Sequence, residues 1–240
     1  MGAKDLSKKI EQDLALAVKK NKAVKDLYDK AVKGSMTYDE AGRFASILGE
    51  EIGGQIVSHL TGDVTGELIE ALIPSALRNE HSYVVQAVKA AQETVNKKAK
   101  VGLKAVIPAF DEEKAVSLAR TVAQAEDVVA AAQTLPAMTE NFSRTIVDTA
   151  IRLNAEAHDR LGMETTVIRE YSDVGLHGGK DDCSWCLERA GTWSYRDAVA
   201  NDVFRRHQGC KCKIAYITKR SVQVQTNWTQ NMWQEVGRRR

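Results

Sequence analysis

The sequence predicts an α+β protein: a long helical body over residues 1–161, a small α+β module over 162–220 and an amphipathic tail over 221–240. Three observations predict it. Apolar residues recur at helical spacing from Leu6 to Leu161. After Gly162 the texture changes, and short β-branched segments and glycines replace the Ala-, Val- and Lys-rich stretches. Only 6% of residues are aromatic and three are proline, which favours helix over a β-sandwich. At 240 residues the chain can bury a sizeable core, in one large domain or two smaller ones.

Residues 4–33 place Leu6, Ile10, Leu14, Ala17, Val18, Val24, Leu27, Tyr28 and Ala31 at helical intervals with lysines between, and Gly34-Ser35 ends that helix. Thr37-x-x-Glu40 is a capping box, so a second helix starts there and runs towards Leu60, where Thr61-Gly62-Asp63 breaks it. Gly49, Gly53 and Gly54 lie inside it. Each weakens a helix interior by up to about 1 kcal/mol, so close packing or a kink must account for them. A short helix interrupted by Pro74 is expected over 64–77, and a longer one over 79–100. Pro108 and the acids Asp111-Glu112-Glu113 open a helix that continues through Val116, Leu118, Val122 and Val128 to Gln133. Pro136 marks another break. Thr139-x-x-Phe142 then opens a helix through Ile146, Ala150, Leu153 and Ala157 to Leu161, with Gly162 as its C-cap.

In the module, residues 165–171 read as a strand, 175–182 as a glycine-rich loop, and 192–195 and 211–218 as further strands. In the tail, Trp228, Met232, Trp233 and Val236 share one helical face that packs on its own protein, and Arg238-Arg239-Arg240 reads as a solubilising end. A net charge of +2 gives no global field for nucleic acid or anionic membrane. No apolar run approaches the roughly 20 residues of a membrane span. The start, Met1 to Leu6, lacks the apolar core of a secretory signal.

All four cysteines fall between 183 and 212, and with no export signal they read as metal ligands rather than disulfides. The spacing is Cys183-x-x-Cys186, then His207-x-x-Cys210-x-Cys212. A CxxC turn aims two thiolates at one ion, and zinc takes four N or S ligands in a tetrahedron at about 2.0–2.3 Å. Cys210 and Cys212 are two apart, so in a strand they share a face, and His207 stands at its entry. Five candidates compete for four positions: all four cysteines bind, or His207 replaces one of them. Either set fills the ion with protein ligands, leaves no place for water, and makes the single Zn2+ structural. His177 is a loop residue of little weight, and His59, His81 and His158 lie on helices without nearby cysteines and read as surface or packing residues. Loss of Cys183 or Cys212 is expected to unfold 163–220 and spare the helical body.

The segment Asp182-Cys183-Ser184-Trp185-Cys186-Leu187-Glu188-Arg189-Ala190-Gly191-Thr192-Trp193-Ser194-Tyr195, followed by Asp202 to Cys212, resembles the C-terminal module of bacteriophage head-morphogenesis or minor capsid proteins. These form the broad group related to the Mu F protein and the minor head protein of phage SPP1. Upstream, Asn154-Ala155-Glu156, Leu161-Gly162 and Val167-Ile168-Arg169 match the helix, glycine and strand that lead into that module. The resemblance covers about residues 140–217 and is only architectural before that. The family's histidine–proline pair is His207-Gln208 here, which loses a turn-stiffening residue but no ligand.

The resemblance implies a virion protein, present in several copies per capsid and incorporated during head assembly in the host cytoplasm. Its implied partners are the portal and major capsid proteins. The alternative is a zinc-knuckle nucleic-acid module that contacts packaged DNA. There Arg205, Arg206, Lys211, Lys213, Lys219 and Arg220 meet phosphate, and Trp185 and Trp193 stack on bases. No phosphate loop, HExxH or nucleophile elbow occurs, so the chain reads as no enzyme.

Overall fold

The computed structural model describes residues 3–60, 65–172, 183–207 and 209–219. The loop over 175–182 with His177, Asp181 and Asp182, the breaker at 61–63, Gln208, Arg220 and the tail over 221–240 lie outside the described residues.

Helices α1 (Ala3–Lys20), α2 (Lys22–Val32), α3 (Tyr38–His59), α4 (Gly66–Ala99), α5 (Glu112–Ala123), α6 (Val128–Ala132) and α7 (Leu135–Arg160) form the body. Strand β1 (Glu164–Glu170), helix α8 (Ser184–Arg189), strand β2 (Gly191–Ser194), helix α9 (Tyr195–Ala200) and strand β3 (Lys213–Lys219) follow. The chain is therefore α+β, a helical body carrying a small antiparallel sheet in the order β2-β1-β3.

The capping box forms: Thr37 Oγ1 accepts from the Glu40 amide at 3.3 Å, and Glu40 accepts from the Thr37 amide at 2.9 Å. Four boundaries differ from expectation. The helix over 4–33 is two, because Asn21 turns its side-chain oxygen onto the amides of Ala23 and Val24 and starts α2 afresh. The break near Pro74 is absent, and α4 runs through it. An interior proline costs about 3 kcal/mol, but Ile69, Leu72, Ile73, Ala76 and Leu77 around it are fully buried. Each large apolar side chain so buried is worth roughly 1.5–3 kcal/mol, so packing wins. The helix from Asp111 stops at Ala123, and Asp127 caps the separate α6. Helix α7 begins before Thr139, at Leu135, with Pro136 in the first turn, where a missing N–H costs nothing.

Helices α3 and α7 lie nearly backbone to backbone. A Cβ on Gly49 would stand 2.6 Å from the Glu140 Cα, and one on Gly53 2.5 Å from the Pro136 Cα, whereas Gly54 meets open space. Close packing thus accounts for two of the three glycines. Gly162 ends α7 at φ +70° and turns the chain into β1, where Thr165, Val167 and Arg169 face inward. Val167 pairs with Trp193 on one side and Tyr216 on the other. Val167, Ile214 and Tyr216 belong to the same apolar core as the helices. The Tyr216 hydroxyl donates to Gln92 Oε1 at 2.8 Å and lies 3.2 Å from His158 Nδ1. The change at Gly162 is therefore one of element type, with no gap in packing. Among the described residues no helix is long and apolar enough to cross a membrane.

Candidate metal centre

Cys183 is the N-cap of α8, and its carbonyl accepts from the amides of Cys186 at 3.1 Å and Leu187 at 3.0 Å. That turn carries the first two sulfurs. A second tight turn has the His207 carbonyl accepting from the Cys210 amide at 3.2 Å, with Gly209 at φ +74°, a conformation that suits glycine. Cys210 and Cys212 do not share a strand as expected, since β3 starts only at Lys213. They are buried just before it.

All five sequence-predicted donors come together. Cys183, Cys186 and His207 form one group and Cys186, Cys210 and Cys212 another, the ligand atoms within each lying within 4.8 Å of one another. Cys186 belongs to both. Its Sγ is 3.0 Å from His207 Nε2 and 3.7 Å from Cys210 Sγ, and Cys183 Sγ is 3.3 Å from the same imidazole nitrogen. Ligands at 2.0–2.3 Å around a tetrahedral ion stand about 3.5–3.8 Å apart, so the sulfur–sulfur edge fits and the imidazole edges are slightly short. The cluster can hold a metal ion. No disulfide links its cysteines.

The thiols themselves are coupled. Burial, with the Cys210 charge beside it, pushes Cys186 up to about 11. Cys210 is held at about 12 by its hydrogen bond to Cys212 and by burial, while that same bond draws Cys212 down to about 7. Metal binding must therefore displace protons that the sulfurs share.

Three arginines among the described residues stand against the cluster, and the sequence analysis assigned none of them that place. Arg169 is 1% exposed; its Nη2 donates to Cys186 Sγ and Cys210 Sγ, both at 3.5 Å. Arg206 pairs with Asp148, an ion pair buried at both ends, and donates to the Cys210 carbonyl at 3.1 Å. Arg144 donates to the carbonyls of Lys211 at 3.0 Å and Cys212 at 2.8 Å. One signal was available: an arginine in step with Thr165 and Val167 on a strand must point inward. Arg144 and Asp148 lie in a helical stretch and carry no such mark.

The aromatic residues near the site are occupied. Trp185 lies 4.2 Å below the Arg189 guanidinium and 5.1 Å from that of Arg169, and Trp193 Nε1 donates to the Arg189 carbonyl at 3.2 Å. The other described histidines serve packing: His158 is buried against Asn96 and Tyr216, His59 bonds Asp13, and His81 stands edge-on to Phe110. A cavity of about 490 Å3 lies between α3, α7 and the sheet, with Ser46, Val147, Ile168 and Ile214 in its lining. It shares Arg144 and Arg206 with the cysteine cluster.

The fold and site thus define an α+β protein, a long helical body with a small sheet and a partly buried Cys/His cluster that could hold a metal. No family model, curated protein or solved structure matches the chain.

Proposed function

We propose that this chain is a structural virion protein, a minor capsid protein of the head-morphogenesis kind, whose cysteine cluster holds one structural Zn2+. One observation carries the reading. The stretches on which the family resemblance rests contain the five residues, Cys183, Cys186, His207, Cys210 and Cys212, that converge in space. A structural zinc takes four such ligands, and with four of these five bound no position would remain for water or substrate. That favours a staple over a catalyst. The site ties α8 to the turn before β3.

In this reading the protein enters the head during assembly in the host cytoplasm, in several copies, against portal or major capsid protein. The nucleic-acid alternative draws less support. Of its six basic residues, Arg206, Lys211 and Lys213 are already paired with Asp148, Glu140 and Asp39. Quantitative mass spectrometry of purified particles tests the proposal. The chain should be present at fewer copies than the major capsid protein and should carry one zinc per chain. Its absence from washed particles refutes the virion role, and metal-free reduced protein refutes the zinc. Salt-dependent DNA binding by the isolated chain would favour the alternative.

A further inference from the structure

We propose that Arg169 is a positioning residue of the metal centre, fixing it as a thiolate site by setting one buried positive charge against both of its halves. The inference rests on the metal reading above. Arg169 projects from the inward face of the central strand β1. One nitrogen, Nη2, reaches Cys186 on the α8 turn and Cys210 on the second turn, each at 3.5 Å. The other, Nη1, donates to the carbonyls of Val203 at 2.6 Å and Arg205 at 2.7 Å, on the segment that leads into His207. A single planar fork therefore gathers all three pieces of chain that carry the donors, which a lysine ammonium does less well.

Charge completes the argument. A guanidinium keeps its proton in a protein, and taken out of water it needs a counter-charge. Arg206 has Asp148 for this, but Arg169 makes no ion pair with a carboxylate among the described residues. Neutral thiols supply no counter-charge. Thiolates on a divalent ion do: three with an imidazole leave one net negative charge, and four leave two. Both candidate ligand sets therefore meet the need of Arg169 with fixed negative charge.

The test titrates the full-length reduced protein with Co2+ against a competing chelator and follows the thiolate-to-cobalt charge-transfer band. Wild type should bind one Co2+. Arg169→Gln should keep its helical circular dichroism and bind about 10–100-fold more weakly, and Arg169→Lys should recover part of the loss. Affinity for Arg169→Gln within about twofold of wild type overturns the role of Arg169 and leaves the metal reading standing. A wild-type protein without the band overturns both. Should Arg169→Gln fail to fold, the wild type decides by nuclear magnetic resonance. On loading with Cd2+, the Arg169 Nη protons should shift and exchange slowly, and indifference to Cd2+ overturns the proposal.

Discussion

Glu80 is a carboxyl in the middle of the bundle, fully buried on α4, and burial pushes it up to about 8. The hydrogen bonds agree with a protonated group. Ser143 Oγ stands between Glu80 Oε1 and the Thr139 carbonyl, 2.7 Å away, and one hydroxyl proton cannot serve two acceptors. If the Glu80 acid donates to Ser143, then Ser143 is free to donate to Thr139. The unfolded chain releases that proton near 4.5, the ordinary value for a glutamate. Between there and about 8 the folded state binds more protons, so this group's contribution to stability falls as pH rises through the window. His158 acts in the other direction. Burial lowers its pKa, so its contribution is present above about 6.5 and is lost as pH falls through the depressed folded value. Comparing Glu80→Gln with wild type isolates the first effect. The variant should gain on wild type by several kcal/mol between pH 5 and pH 9, read from urea unfolding at each pH. Parallel pH profiles for the two proteins would mean that Glu80 is ionised in the fold.

At the scale of elements, the α3–α7 seam depends on what is missing from two positions. Gly53→Ala drives a methyl into the Pro136 backbone and should cost about 1–3 kcal/mol, since neither helix can shift without disturbing its other contacts. Gly54→Ala meets open space and should be neutral or stabilise by up to about 1 kcal/mol. Thermal melts of the two variants check the pair, and equal effects would refute the seam. The sequence showed that these glycines need a reason, but not which one, because the answer lies on a helix some 90 positions away. The same division runs through the rest. Signals closed within four residues were legible: the Thr37–Glu40 box, the Gly162 cap, the CxxC turn and its partner turn. Pro74 misled because distant apolar burial outweighs a local penalty, and Asn21 because a capping side chain hides within an unbroken apolar pattern. Helices α8 and α9 have six residues each, too short to show a period. The five donors could be read from spacing, but Arg169 and Asp148 acquire their roles only when β1 and α7 close on the second turn.

For the whole molecule the question is whether the sheet can come apart without the helices. The expectation that loss of a cysteine unfolds 163–220 alone assumed a module held by its metal. The sheet instead shares its core with the bundle, and polar ties cross the junction. Tyr216 and Tyr38 both donate to Gln92, Arg206 pairs with Asp148 on α7, and Arg144 on α7 holds the Cys212 carbonyl. Unfolding β3 would uncover Ile214 and Tyr216 and leave buried groups of α4 and α7 without partners, which costs more than the strand pairing itself provides. Any metal that the cluster holds is therefore linked to the whole fold through one equilibrium. A ligand at a thousandfold its Kd adds about 4 kcal/mol, so stripping the proposed metal should lower the melting temperature of the entire chain by roughly 8–16 °C. Helical circular dichroism and tryptophan fluorescence should fall together, before and after chelation. If Cys183→Ser leaves the helical melt where it is and abolishes only the tryptophan transition, the sheet folds by itself and the shared core carries less than its burial implies.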